Sequence, residues 1–212
     1  MTTPNRYVLE HALVVATLLV SVAGFWKLYV GADAAPNGFH HLHLVTNFAW
    51  LFLLLWQLRL VATRQFADHR KAGLCVLVAG LLLFASAALL SVHSAHKGVV
   101  SGEGDFLIVQ NVMGTLQIGL MILLAFVLRR RRALHGAFLL STANSFMGVA
   151  LFFAMLSFVP AFRIEGPETF YRFAIVGATG QAICLAIGLL FVIKDWRNGW
   201  PVLLAAVYFP LN

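Results

Sequence analysis

The sequence predicts an all-α integral membrane helical bundle, and three observations carry that prediction. Of 212 residues, 61% are hydrophobic and 11% are charged, with a mean hydropathy of +0.87. A soluble domain is about 45–50% apolar and about 25% charged, so this chain lacks the charge to clothe a water-exposed surface. Six apolar runs each approach the roughly 20 residues that a spanning helix needs. Runs such as LFLLLW and VLVAGLLLFA do not alternate apolar with polar, which excludes a barrel of short strands. A soluble enzyme, a nucleic-acid-binding domain and a disordered chain are excluded as accounts of the whole.

The runs are taken in order. The first, Ala12 to Val30, carries Glu10, Thr17, Ser21 and Gly24 on one stripe. Ala32-Asp33-Ala34 after it has the form of a signal-peptide cleavage site. The run exceeds the usual h-region of about 7–15 residues, and Glu10 is out of place in an n-region. A retained helix is expected. The second run, Leu42 to Ala62, places His43, Asn47, Trp50, Leu54 and Gln57 at i, i+4, i+7, i+11 and i+14, one helix face. The third is Gly73 to Val92. The fourth, Phe106 to Leu128, repeats the spacing with Gln110, Gly114, Gln117 and Met121. The fifth, Ala133 to Val159, gives Ser141, Asn144 and Gly148. The sixth, Tyr171 to Ile193, gives Gly177, Gln181, Cys184 and Gly188. A last stretch, Trp200 to Pro210, is too short to cross alone. It reads as a partial helix, with a half-helix, an interfacial segment and a seventh span all open. The whole chain, 1–212, reads as one transmembrane domain of six helices plus this short C-terminal segment.

The net charge of +7 is a topology signal. Arg6, Arg59, Arg64, Arg70, Lys71, the run Arg129 to Arg132, Lys194 and Arg197 fall on one side. The opposite loops hold Lys27, Lys97, Arg163 and Arg172 with most of the acids. Positive residues stay inside, so the N-terminus is expected in the cytoplasm of a cell with this protein in its inner (plasma) membrane. The arginine run has a second meaning as a lipid or nucleic-acid patch, and topology marker is the plainer one. Nucleic acid is not an expected partner. Cys75 and Cys184 lie in apolar runs and are expected to be buried small hydrophobes rather than a disulfide framework.

Polar groups in lipid face the bundle interior or mark a pathway. The striped amides fit two accounts equally: helix–helix glue, and a polar internal cavity. The histidines, eight in all, are sharper. His40, His41 and His43 open the second span at its outer end, and His93 and His96 close the third at the same face. Each of the pairs His40/His43 and His93/His96 is three residues apart, on one helix surface. Two such pairs on adjacent antiparallel helices can offer four nitrogen ligands, a set suited to Zn or Cu, or to Fe with added carboxylate. Glu103 and Asp105 are nearby oxygen donors or orienters. The same histidines suit haem b, with His43 and either His93 or His96 as axial ligands and Phe39, Phe48, Trp50 and Phe106 as walls. His69, with His11 and His135, lies at the inner level, where a second haem is a weaker expectation. For any single histidine, anchoring a helix end is the plainer role, and His135 is expected to do that. His11 with Glu10 is a candidate inner proton-handling pair.

No GxSxG, HExxH, phosphate-binding or dinucleotide motif occurs. Lys194 lies at the end of the sixth span, not deep in it, so a retinal Schiff base has no lysine. Whether the chain is an enzyme acting on lipid or quinone stays open.

One segment carries a resemblance. His43 opens the second helix, Trp56-Gln57 follow, and His69-Arg70-Lys71-Ala72-Gly73 closes the connecting loop. This His…His-Arg-x-x-Gly pair resembles uncharacterised multi-pass bacterial inner-membrane proteins, a domain of unknown function. It is also faintly similar to small membrane proteins implicated in haem–copper oxidase assembly. The resemblance runs as far as His93 and His96, and it implies that His43, His69 and His93 are the positions of interest.

The expected cofactor-binding residues are thus His43, His93, His96 and His69, and the expected metal set is His40, His43, His93 and His96. The expected function is electron transfer or respiratory-complex assembly through haem or a transition metal (Cu, Zn or Fe), with another membrane subunit or quinone as partner beside the lipid bilayer. The alternatives are a small-solute transporter with an amide-lined cavity and a non-catalytic assembly or scaffold protein.

Overall fold

The computed structural model describes residues 7–31, 34–101 and 104–207, and at 97–101, 104–108 and 110 it describes the backbone only. Among the described residues every regular element is helical: α1 (Val8–Val30), α2 (Gly38–Ala62), α3 (Phe66–Ser101), α4 (Gly104–Val127), α5 (Arg132–Phe158), α6 (Tyr171–Lys194) and α7 (Trp200–Leu204), with short 3-10 turns at Pro160–Phe162 and Pro167–Thr169. Five helices are long and apolar enough to cross a membrane: α1, α2, α3 over Phe66–His96, α5, and α6 with the turn before it. The apolar part of α4, Asn111–Val127, is shorter. The protein is therefore a multi-pass membrane protein in contact with the lipid bilayer. Its outward faces agree, since Leu74, Leu81, Leu82, Leu123 and Ile193 are exposed. In lipid such a face costs nothing, because the tails are as apolar as leucine.

The chain divides into two compact units. The first comprises Met1–Leu18 and Asn37–Gly119. Here α2 and α3 form an antiparallel pair. Of the predicted α2 stripe, Asn47, Trp50, Leu54 and Gln57 are buried, with Leu51 and Leu60 beside them, and His43 is half-buried. Buried positions of α3 include Ala72, Val76, Leu83, Ser86 and Ala87, and Ser86 meets His43 and Thr46 of α2. On the other side of α3, Ser91 Oγ lies 3.0 Å from Thr115 Oγ1 and donates to Asn111 O. A Cβ on Gly119 would fall 2.6 Å from the Phe84 ring, so glycine there lets α4 close on α3.

The link between α2 and α3 is tighter than the sequence suggests. His69, Arg70 and Lys71 do not form a loop; they lie in the first turns of α3, and the connection is only Thr63–Gln65. The helix starts early because Gly73 keeps helical backbone and the polar residues before it project beyond the apolar layer. The reversal is made by Arg64 at φ 60°. Gln65 N donates to Leu60 O and Arg64 N to Val61 O, the bond pattern of a left-handed helix C-cap that glycine usually fills.

The second unit comprises Leu19–Pro36 and Leu120–Asn212. Its central element is α5, 56% buried over its most apolar window against 28–33% for the other spans. Residues Phe138 to Asn144 of α5 are buried without a break, the sign of a helix surrounded on all sides. Gly24 of α1 sits against the Ala150 backbone, where a Cβ would collide with the carbonyl oxygen, and the Phe25 and Phe153 rings lie 5.5 Å apart beside it. The predicted stripes are buried on α1 at Thr17, Ser21 and Gly24, on α5 at Ser141, Asn144 and Gly148 and on α6 at Gln181, Cys184 and Gly188, while Glu10 and Gly177 at the stripe ends are half-buried. Cys75, by contrast, is exposed on an apolar surface rather than buried, while Cys184 is buried.

Within its described residues, the C-terminal stretch forms a short helix folded back on α5 and α6, not a span. Asn144 Nδ2 donates to Val202 O at 2.9 Å and to Cys184 O at 3.2 Å, joining three helices through one amide. A Cβ on Gly188 would lie 2.5 Å from Leu203 Cα, so α7 seats in a glycine notch. Gly188→Leu is expected to expel α7 and lower the thermal unfolding midpoint in detergent. Gly188→Ala should cost about 1–3 kcal/mol, the usual cost of overpacking. An unchanged midpoint for both would show that the notch contributes nothing.

Candidate functional site

The outer end of the α2–α3 pair gathers the polar side chains that lie closest to chemistry. Asn37 is the N-cap of α2: its Oδ1 accepts from Phe39 N and His40 N. That cap satisfies backbone donors that a helix start leaves open. His40 Nδ1 lies 2.7 Å from Asn37 Oδ1 and 3.3 Å from the Asn37 backbone N, closing a capping box. The other end of the same amide, Nδ2, is 2.8 Å from His93 Nε2. An amide nitrogen can only donate, so His93 Nε2 is the acceptor there and its proton is on Nδ1. The Phe39 ring stacks on His93 at 5.1 Å, and His40 meets His93 edge-on at 5.9 Å. One asparagine thus ties the start of α2 to the end of α3.

One turn deeper, His43 is half-buried and its Nδ1 is 3.2 Å from Ser86 Oγ. Ser86 donates to Leu83 O at 2.9 Å. Thr46 Oγ1 lies 2.6 Å from the same oxygen and 3.0 Å from both Leu42 O and His43 O. This chain holds the His43 ring. With the Ser86 proton on Leu83 O, Ser86 Oγ accepts from His43 Nδ1 and Nε2 keeps its lone pair.

Below His43 the α2 stripe stays polar. Asn47 and Gln57 are 3% and 5% exposed, and their side-chain oxygens have no hydrogen-bond partner among the described residues. Gln57 Nε2 reaches His69 O at 3.4 Å. His69 is therefore at the opposite end of the pair from His43, about 21 Å away along α2 at 1.5 Å per residue.

The four-nitrogen metal set does not assemble. Among the described residues no group of three or more His, Cys, Asp or Glu side chains is placed to hold a metal ion. The cause is helix register. Asn37 pairs with His93 and His43 with Ser86, so α2 presents one histidine level to α3's histidine and the next to its serine. His41 and His96 are exposed. His40, which its periodicity did not place inward, is brought to His93 by the cap. Glu103 lies outside the described residues, as do the side chains of Asp105, Phe106 and Gln110. His11 Nδ1 bonds to Tyr7 O within its own helix turn. His135 Nδ1 bonds to Ala125 O and fastens the end of α4, the end-anchor role expected of it.

Asn37, Thr46 and Ser86 stand outside the histidine pattern of the sequence. The signal for Asn37 was present, as a capping residue before an apolar run with a partner three residues on. Ser86 had none, because only the register of α3 on α2 brings it to His43. No protein-family model, no curated protein and no solved structure matches the chain.

The asparagine tie has a direct check. Asn37→Asp keeps the cap acceptor and removes the donor to His93. It is expected to lower the unfolding midpoint less than Asn37→Ala, which loses about 1 kcal/mol of capping as well. An unchanged midpoint for Asn37→Asp would mean that the bond to His93 adds no stability.

Proposed function

We propose that the chain is an inner-membrane protein, N-terminus in the cytoplasm, that binds haem b at the outer end of α2–α3 with His43 Nε2 as an axial ligand. Its role is electron transfer or assembly of a respiratory complex. The observation that supports this is the hold on His43: Ser86 Oγ lies 3.2 Å from Nδ1, and with Nδ1 as the donor Nε2 is left to bind iron. A ligating histidine almost always has its second ring nitrogen hydrogen-bonded in this way. The register disfavours a bare Zn or Cu ion, which needs three or four protein ligands. A porphyrin brings four nitrogens of its own and asks the protein for one or two. His93 and His40 are each joined to Asn37 and would serve the edge of such a site. The resemblance of the His43–Gly73 segment to membrane proteins of oxidase assembly points the same way.

A second account, a small-solute permease, draws on Asn47 and Gln57, whose buried amide oxygens lack partners. A polar solute or water passing along α2 would satisfy them.

The test is an absorbance spectrum of the detergent-purified protein, oxidised and then dithionite-reduced. The haem account expects a Soret band that His43→Ala abolishes. Ser86→Ala should keep the haem and raise its midpoint potential, since a hydrogen-bonded Nδ1–H makes the imidazole a stronger donor to Fe(III). A featureless spectrum from haem-replete cells would sink the proposal. Solute uptake altered in Asn47→Leu or Gln57→Leu, with His43→Ala unaffected, would establish the permease instead.

A further inference from the structure

The arginine run does more than mark a side of the membrane. Arg129, Arg130, Arg131 and Arg132 are all exposed where α4 turns into α5. The turn is firmly built. Arg129 N donates to Phe126 O, Arg131 N to Leu128 O and His135 N to Arg131 O. His135 spans it from within: Nδ1 donates to Ala125 O at 2.7 Å, and the ring meets Phe126 edge-on. The four guanidinium groups are therefore carried on a fixed corner.

The turn between α6 and α7 lies at the same end of this unit, since Trp200 packs edge-on against Phe138 at 5.4 Å, less than two turns into α5. It adds Lys194 and Arg197, both exposed, and Trp196, which is 74% exposed. The Arg197 guanidinium lies 5.5 Å from the Trp196 ring centroid. From Leu120 onward the only acids in the sequence are Glu165, Glu168 and Asp195. The two glutamates belong to the other end of α5 and α6. Asp195 is engaged in its own turn, accepting from Arg197 N, Asn198 N and Asn198 Nδ2. Five exposed arginines thus lie at one end of the unit beside two exposed tryptophans, and the one acid of the α6–α7 turn is occupied within that turn.

We propose that this end is a binding site for an anionic membrane phospholipid with two phosphate diesters, of the cardiolipin type. Charge complementarity selects the phosphates, because guanidinium binds phosphate oxygens in a bidentate fork. Trp196 and Trp200 select a lipid over a free ion. Amphipathic rings settle at headgroup depth, where lipid phosphates lie and acyl chains can run along the apolar helices. Four consecutive arginines reach further than one phosphate, which favours the double headgroup. The site is independent of His43 and of any haem.

The test is thermal unfolding of the full chain in a neutral detergent with added cardiolipin, phosphatidylglycerol, phosphatidylethanolamine or inorganic phosphate. Cardiolipin is expected to raise the midpoint most and phosphatidylglycerol less, with phosphatidylethanolamine and inorganic phosphate near zero. High salt should erase the gain. Arg130→Gln with Arg131→Gln should weaken cardiolipin binding about 30-fold, at about 1 kcal/mol per basic residue, and the Lys pair should retain most of it. Equal shifts from cardiolipin and phosphatidylethanolamine would overturn the proposal, and so would a shift reproduced by inorganic phosphate. Because the lipid series uses the unmodified protein, it decides the matter even where the Gln pair fails to insert.

Discussion

Lipid offers no hydrogen bonds, so a buried polar group in this chain either finds a partner inside the protein or remains unpaired at a cost of several kcal/mol. Much of the structure follows from how the first outcome is met. In the α2–α3 pair the contacts are few and specific: Asn37 with His93, Ser86 with His43 and Thr46, and Gln57 with the His69 carbonyl. Apolar packing alone would allow the two helices to slide by a turn, since leucine against leucine is nearly the same at each level. The polar contacts remove that freedom. They also decide which histidine meets which neighbour, and so what chemistry the outer end can do.

The second unit meets the same constraint with one amide and close backbone contacts at glycine. Asn144 supplies both amide hydrogens to carbonyls of other helices. Gly188 and Gly199 let backbones approach to distances that any side chain would forbid. Together they hold a helix too short to satisfy its own carbonyls. Such close approach is how helices associate where no hydrophobic drive exists between them. Thr17, Ser141 and Thr142 each donate to a carbonyl of the preceding turn.

The histidines show how far a sequence can be followed. Spacing by three placed His40 with His43 and His93 with His96 on common surfaces, and antiparallel order placed both pairs at one end. That much is right at the level of helices. It failed at the level of side chains, because His96 faces outward and His40 is engaged by a cap residue. Ligand geometry depends on offsets of one residue between helices, and no periodicity within a helix contains that offset. The connection before α3 went the same way. His69, Arg70 and Lys71 looked like loop by polarity and proved helical, because a helix can extend past the apolar layer into the headgroups.

By itself the sequence determined the membrane class, the positions of the long helices and the polar stripe on each of α1, α2, α5 and α6. Hydropathy and the 3.6-residue period are local properties, and local properties are written in the chain. The tertiary structure alone decided three things: that Ser86 holds His43, that Asn37 joins two histidines, and that α7 packs as a short helix against Asn144 and Gly188. Each depends on two segments far apart in sequence meeting at one height. That height is set by the sum of packing and hydrogen bonds across the interface, not by either segment.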